Sequence, residues 1–286
     1  MGRNQENETE KLKKSFRLTI VVMIVIIILG AGSAFAWFSL SGRTSTNITP
    51  MAGTISEGDT VLLISNSASG PFDKTCQLNL TGAADSLKPL STADLQHFFK
   101  ATAQNSEGIS VLYANADDRV NEDALHGTVY LQCLNAPCTV YFDRENLKLG
   151  SDAQALAAMR LGLKITSSSG TQTLIFRLDD MGATGGAQSR QTTERTSAVV
   201  SAVSGGGQAV YVNDPAQNLS GYMAQGGGSS GTFQAGSQML LQLQANEVAT
   251  VEYWLYLEGC DEQCINPVQN RSSDFQLGFA GVDVGK

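Results

Sequence analysis

Apolar and polar residues alternate in short runs along most of this chain, but one run near its start does not alternate at all. Leu18 to Phe38 carries no charge over 21 residues, and Ile20 to Leu29 is unbroken aliphatic and Met sequence. About 20 apolar residues cross a bilayer as a helix, so this segment is expected to meet a membrane. Lys11, Lys13, Lys14 and Arg17 on its N-terminal side set the N-terminus in the cytoplasm and the rest outside. Two readings stand. Trp37-Phe38 suits the outer interface of a permanent transmembrane helix, whereas Gly30 to Ser33 and Ala34-Phe35-Ala36 suit a signal peptide cut by a signal peptidase.

The remaining pattern is that of strands. Ser39 to Gly58, rich in Ser, Thr and Gly, is expected to be a linker or an N-terminal strand, and Gly58 to Ser65 a strand. Ser91-Thr-Ala-Asp94 has the form of a capping box before Leu95, Phe98 and Phe99, which predicts a helix over Thr92 to Thr102. Val129, Leu131 and Cys133 alternate on one arm and Cys138, Val140 and Phe142 on the other, predicting a hairpin from Gly127 to Asp143 with the two cysteines opposed. A short helix is expected from Asp152 to Met159, then a second hairpin of Leu161 to Ile165 with Leu174 to Leu178. Met181 to Gly236 is rich in Gly, Ser, Gln and Thr and reads as long loops, within which Thr192 to Ser204 fits either a helix or a strand. Met239 to Gln244, Val248 to Glu258 and Phe275 to Phe279 complete the strands. The pattern predicts a mainly β domain, an antiparallel β-sandwich of jelly-roll type with short helices in its connections. Four segments follow: a basic tail over 1–17, the membrane or signal segment over 18–38, the linker over 39–57, and the extracytoplasmic domain over 58–286.

Charge narrows the partners. Up to Arg17 there are 5 basic against 3 acidic residues, leaving 14 against 24 in the rest of a chain whose net charge is −8. A nucleic-acid footprint is excluded. Outside the cell thiols tend to pair, so Cys133 with Cys138 and Cys260 with Cys264 are expected as local disulfides, with Cys76 left over. The rival, a four-thiol metal site, lacks Cys-x-x-Cys knuckles.

No motif carries catalysis. Gly227-Gly-Ser229-Ser-Gly231 has the letters of a nucleophile elbow, but no apolar strand precedes it and His97 and His126 both lie upstream. Gly226-x-Gly228-x-x-Gly231 matches a dinucleotide fingerprint without the surrounding βαβ unit. His97, placed in the expected helix, and His126 have no paired-ligand spacing. Asn115, Asp117, Asp118, Asn121, Glu122 and Asp123 form an acidic turn, solvated or alternatively calcium-binding, without the spacing of an EF-hand. Asp179-Asp180 and Asp261-Glu262 are weaker cases. Trp254 with Tyr253 and Tyr256 reads as core and cross-strand packing rather than a glycan platform. No cofactor is expected, and the chain is not read as an enzyme.

The apolar leader ending in Ala34-Phe35-Ala36 before Trp37-Phe38, Ala157-Ala-Met-Arg160, and Val251-Glu-Tyr-Trp-Leu-Tyr-Leu-Glu258 followed by Gly259-Cys260-Asp261 and a Phe-x-Leu-x-Phe strand resemble the TasA/camelysin-like surface proteins of Gram-positive bacteria. The resemblance implies a leader cut by a dedicated signal peptidase and a jelly-roll domain outside the cell, in some members a fibre subunit of the biofilm matrix. Peptidase activity attributed within the group has no zinc-protease helix here to receive it, and the Gly-rich region and the Cys133/Cys138 pair depart from what every member would carry. The expectation is a secreted or membrane-tethered cell-surface structural protein. Self-assembly would proceed by strand addition, with Trp37, Phe38, Leu40 and Ile48 as the assembly segment. The alternatives are an extracellular binding module for glycans or surface proteins, and a hydrolase with a loop-built site.

Overall fold

A computed structural model describes residues 51–56, 61–79, 81–82, 87–104, 111–149, 153–178, 198–225, 234–261, 264 and 276–284. The chain divides into two units, Met1–Ser39 and Leu40–Lys286, and the described residues belong to the second. The segment over 18–38 and the assembly residues Trp37, Phe38, Leu40 and Ile48 lie outside them. Among the described residues no helix is long and apolar enough to cross a membrane.

The domain is mainly β. One sheet runs β15 (Met223–Ala224), β9 (Cys138–Asp143), β18 (Gln276–Asp283), β1 (Met51–Ser56) and β3 (Thr75–Gln77), with β16 (Leu241–Leu243) also on β9. The other runs β14 (Gln217–Asn218), β11 (Gly170–Arg177), β10 (Met159–Ser167), β17 (Val248–Glu258), β8 (Leu125–Leu134) and β2 (Val61–Ser65). Short strands β4 (Thr81–Gly82) and β5 (Pro89–Leu90) add to β8 and β17. Two further hairpins, β6 (Phe99–Gln104) with β7 (Val111–Asn115) and β12 (Ala198–Val203) with β13 (Ala209–Asn213), form their own small sheets. Among the described residues the α-helices are short, α1 (Val120–Asp123) and α2 (Ala153–Ala158).

Alternation places the core. Leu62, Ile64, Val129, Leu131, Leu161, Leu163, Val251 and Tyr253 from one sheet and Val140, Phe142, Leu277 and Phe279 from the other belong to a single buried cluster. The two sheets touch directly where β18 crosses β2: a Cβ on Gly281 would lie 2.8 Å from Leu62 Cβ, so only a glycine permits that approach. Trp254 is half-buried while Tyr253 and Tyr256 are fully buried, which makes β17 a core strand.

Several expectations are met. β10 and β11 pair antiparallel from Arg160↔Arg177 to Ser167↔Gly170, α2 precedes them, and the described part of the stretch read as helix or strand, Ala198–Val203, is strand β12. Others are corrected. Gly127 to Asp143 is not a hairpin. β8 already has β17 along one edge and β2 along the other, and β9 is flanked by β18 and β16, so the arms pair in different sheets. Between them the chain passes from one sheet to the other as an arch of exposed and half-exposed residues, with Asn135 at φ 69° taking the left-handed turn that Asn tolerates. Alternation reveals which face each strand buries; it does not reveal its neighbour.

The helix expected over Thr92 to Thr102 is absent. Thr92 Oγ1 accepts from Leu95 N (3.0 Å), and Asp94 Oδ1 accepts from both Gln96 N and His97 N (2.8 Å each). These side chains cap bends instead of a helix, as such residues do when local backbone bonds compete with helical ones. Leu95, at φ 57°, drops onto β10 at Gly162, where a Cβ would sit 2.5 Å from Leu95 Cδ2. His97 therefore stands on a bend. Of the two readings of 39–57, β1 is the N-terminal strand, a member of the first sheet, and the loops expected over Met181 to Gly236 include β12 to β15.

Candidate functional site

The cysteines are the first test of the expected site residues. Cys133 and Cys138 are joined, with Cα atoms 6.3 Å apart and both residues fully buried, so the bond links the two sheets through the core at the arch. Cys260 and Cys264 are not bonded to each other. The Cys264 N–H instead closes a turn onto Asp261 O (2.8 Å), while the Cys260 thiol meets Ser91 Oγ (3.5 Å) and Tyr113 OH (3.4 Å) on separate segments. A spacing of four in a turn brings two cysteines near one another without opposing their Cβ atoms, which a disulfide requires. Burial pushes the Cys260 thiol up to about 11 and the Cys76 thiol to about 11, far from the thiolate a nucleophile needs.

The acidic turn disperses. Asp117 Oδ1 accepts from Phe98 N, Glu122 pairs with Arg119, and Asn121 Oδ1 meets His126 Nε2. Asp123, fully buried on α1, is held by Lys88 Nζ (2.9 Å) and Lys100 Nζ (2.7 Å). Burial opposes its ionisation, but the hydrogen bonds and charges of Lys100 and Lys88 outweigh it and hold Asp123 below the usual carboxylate range. His97 is exposed and bonded to Asp94, whose carboxylate raises its pKa, whereas burial lowers that of His126. Gly226 to Gly231 and Asp179-Asp180 lie outside the described residues.

The densest chemistry is a cluster that motif reading does not single out. Arg160, second residue of β10, is 1% exposed although it lies between the apolar neighbours Met159 and Leu161. Register puts it opposite Arg177 on one side and Tyr256 on the other. Its Nη1 donates to Ala157 O (3.2 Å) and Met159 O (3.0 Å), the carbonyls where α2 gives way to β10. Its Nη2 donates to Asp261, just beyond β17, and lies 3.6 Å from Asp214, just beyond β13. Arg177 Nη2 reaches the same Asp214 oxygen at 2.9 Å, so one carboxylate bridges two guanidinium groups that would otherwise repel across the strand pair.

Glu258, which ends β17, is the third acid here. Its Oε1 accepts from Cys260 N (3.0 Å), and Ser91 also bonds the carboxyl. Its Oε2 and the nearby Tyr256 hydroxyl are buried with no hydrogen-bond partner. Burial pushes Glu258 up to about 7, with Arg160 pulling the other way. Two guanidinium groups face Asp214, Asp261 and Glu258, and the local charge balances when Glu258 keeps its proton. The Ser91 hydroxyl also accepts from Val200 N of β12 (3.0 Å), tying the β12–β13 hairpin to the same cluster. Such an arrangement orients and binds protons; it pairs no activated nucleophile with a base. The signal for it in the sequence is a lone Arg inside an apolar run and a Glu closing another, the usual mark of a buried pair.

A separate cleft of about 390 Å³ lies between the β10–β11 turn and β16, lined by Ser167, Ser169, Gln172, Gln242, Glu247 and the half-exposed Met239. Glu247 is already engaged there by Ser168 N (2.7 Å) and Gln244 N (2.8 Å). Comparison of this chain with protein-family models, with curated proteins and with solved structures finds no match.

Proposed function

We propose that this chain is a secreted or membrane-tethered structural protein of the cell surface, built on a jelly-roll-like domain and assembling by strand addition. The observation that carries this reading is the place of β1. It pairs parallel with β18 along its whole length, Met51↔Gln276 to Ser56↔Gly281, but meets β3 only from Met51 to Gly53, leaving half of one edge open among the described residues. The segment from Trp37 to Pro50 leads directly into that strand, so once a leader is cut it is free to extend pairing onto a neighbour through main-chain hydrogen bonds. The buried Cys133–Cys138 bond is consistent with an oxidising compartment. The polar cleft beside Met239 favours the second reading, a binding module for glycans. The test compares chains beginning at Trp37 and at Met51 by size-exclusion chromatography and electron microscopy. Concentration-dependent association of the Trp37 form alone is expected; a Trp37 form that stays monomeric throughout overturns strand addition.

A further inference from the structure

β13 is an edge of unusual character. All of its residues are exposed or half-exposed, and Val210, Tyr211 and Val212 stand in sequence at 45%, 51% and 41% exposure. β12 occupies one edge from Ala198↔Asn213 to Val203↔Ala209, with one bulge between Val200 and Ala202. On the other, β7 approaches through the Leu112↔Gln208 bridge and through Tyr113, whose ring meets that of Tyr211 edge-on at 6.3 Å, and among the described residues no strand pairs with β13 there. Natural sheets blunt such edges with Lys, Pro or an inward charge. Here the chain from Ala198 to Asn213 has no charged residue and no proline.

We propose that β13 is a homotypic interaction surface, pairing antiparallel with β13 of a second copy to make a sheet across a two-fold axis. Two features select a copy over another partner. First, the protein has a net charge of −8, so two copies repel except where a patch is uncharged, and the β12–β13 hairpin is such a patch. A basic partner gains nothing from it. Second, the strand is self-complementary. An axis normal to the sheet must pass through a residue that faces itself, because opposed side chains share a face. Tyr211 is the central residue of β13, and centring there sets Val210 against Val212 of the second copy on one face and Tyr211 against its equivalent on the other. This pairing uses residues distinct from the N-terminal segment and stands whether or not strand addition occurs. One short strand buries less than the roughly 1,200 Å² of a stable interface, so the association is weak and set by concentration.

The experiment uses the full chain in detergent micelles. Tyr211→Cys under mild oxidation is expected to give a covalent dimer, with the unaltered chain and Val248→Cys as controls that do not. The Val210→Lys/Val212→Lys double variant is expected to remain monomeric over the concentrations at which the unaltered chain dimerises, with its circular dichroism unchanged. Strand addition through the N-terminus gives no bond at position 211, so the two assemblies are told apart. Absence of the Tyr211→Cys cross-link, or persistence of the dimer in a folded double variant, overturns the proposal. Should the double variant unfold, the cross-link decides alone.

Discussion

Asp123 and Glu258 are buried acids, 0% and 1% exposed, but they treat the proton oppositely. Asp123 meets two ammonium groups, Lys88 and Lys100, whose stems run out to partly exposed positions. Glu258 shares the Arg160 guanidinium with Asp214 and Asp261, and its Oε2 has no hydrogen-bond partner. The first acid is held ionised below the usual range, the second is pushed up to about 7. Burial alone would raise both. What separates them is the ratio of cations to acids: each Asp123 oxygen faces its own ammonium, whereas Glu258 competes with two other carboxylates for Arg160.

Removing the shared cation is the severest way to break the contrast. Arg160→Met takes from the buried Asp261 its guanidinium partner and leaves Asp214 to Arg177 alone, and about 3–5 kcal/mol of stability should be lost in urea unfolding near pH 7. A loss under about 1 kcal/mol would mean that the cluster is wet. Next comes Glu258→Gln. A carboxyl raised from 4.5 to about 7 takes up a proton on folding, so its contribution is fully present below about pH 4.5 and is lost as pH rises through about 7. The difference is on the order of 3 kcal/mol. The Gln variant should therefore match the unaltered chain at pH 5 and exceed it at pH 8. Parallel stability–pH curves for the two proteins would remove Glu258 as the proton site. The smallest effect is expected at Asp123→Asn, about 1–2 kcal/mol at pH 7, because Lys88 and Lys100 can turn to water. Its sign is reversed. A depressed carboxylate stabilises above its unfolded pKa and loses that contribution as pH falls through the folded one, so the variant and the unaltered chain should draw together in thermal melts as the pH drops below the usual carboxylate range.

Much of the strand content was legible, because most of β8, the start of β9 and the first half of β17 bury one face against a shared core and so alternate, while β10 and β11 carry continuous apolar runs buried on both faces. Pairing was less so. Cys133 and Cys138 do bond, but as a link between sheets instead of across a hairpin, since alternation is the same for both arrangements. The false helix after Ser91 has a similar origin: Thr92 and Asp94 carry the same letters whether they cap a helix or a bend, and the deciding contact, Leu95 on Gly162, is remote. The ionic cluster was not legible because Arg160 and Asp261 are 101 positions apart and Asp214 belongs to a third segment. A single sequence marks an Arg in an apolar run without naming its partner.

The parallel pairing of β1 with β18 also bears on how the domain takes a load. Met51 stands beside Gln276 and Ser56 beside Gly281, so the chain enters the pair at one end and leaves it at the other. Tension between the beginning of β1 and the end of β18 therefore acts along the strands, in shear. The rungs of a parallel ladder are evenly spaced and share such a load, failing together rather than peeling one at a time. The same strands joined antiparallel would have presented their ends side by side and opened like a zip. Rupture in the shear geometry is governed by the unfolding rate of the whole pair, which makes this seam a mechanical clamp for whatever is attached to either end.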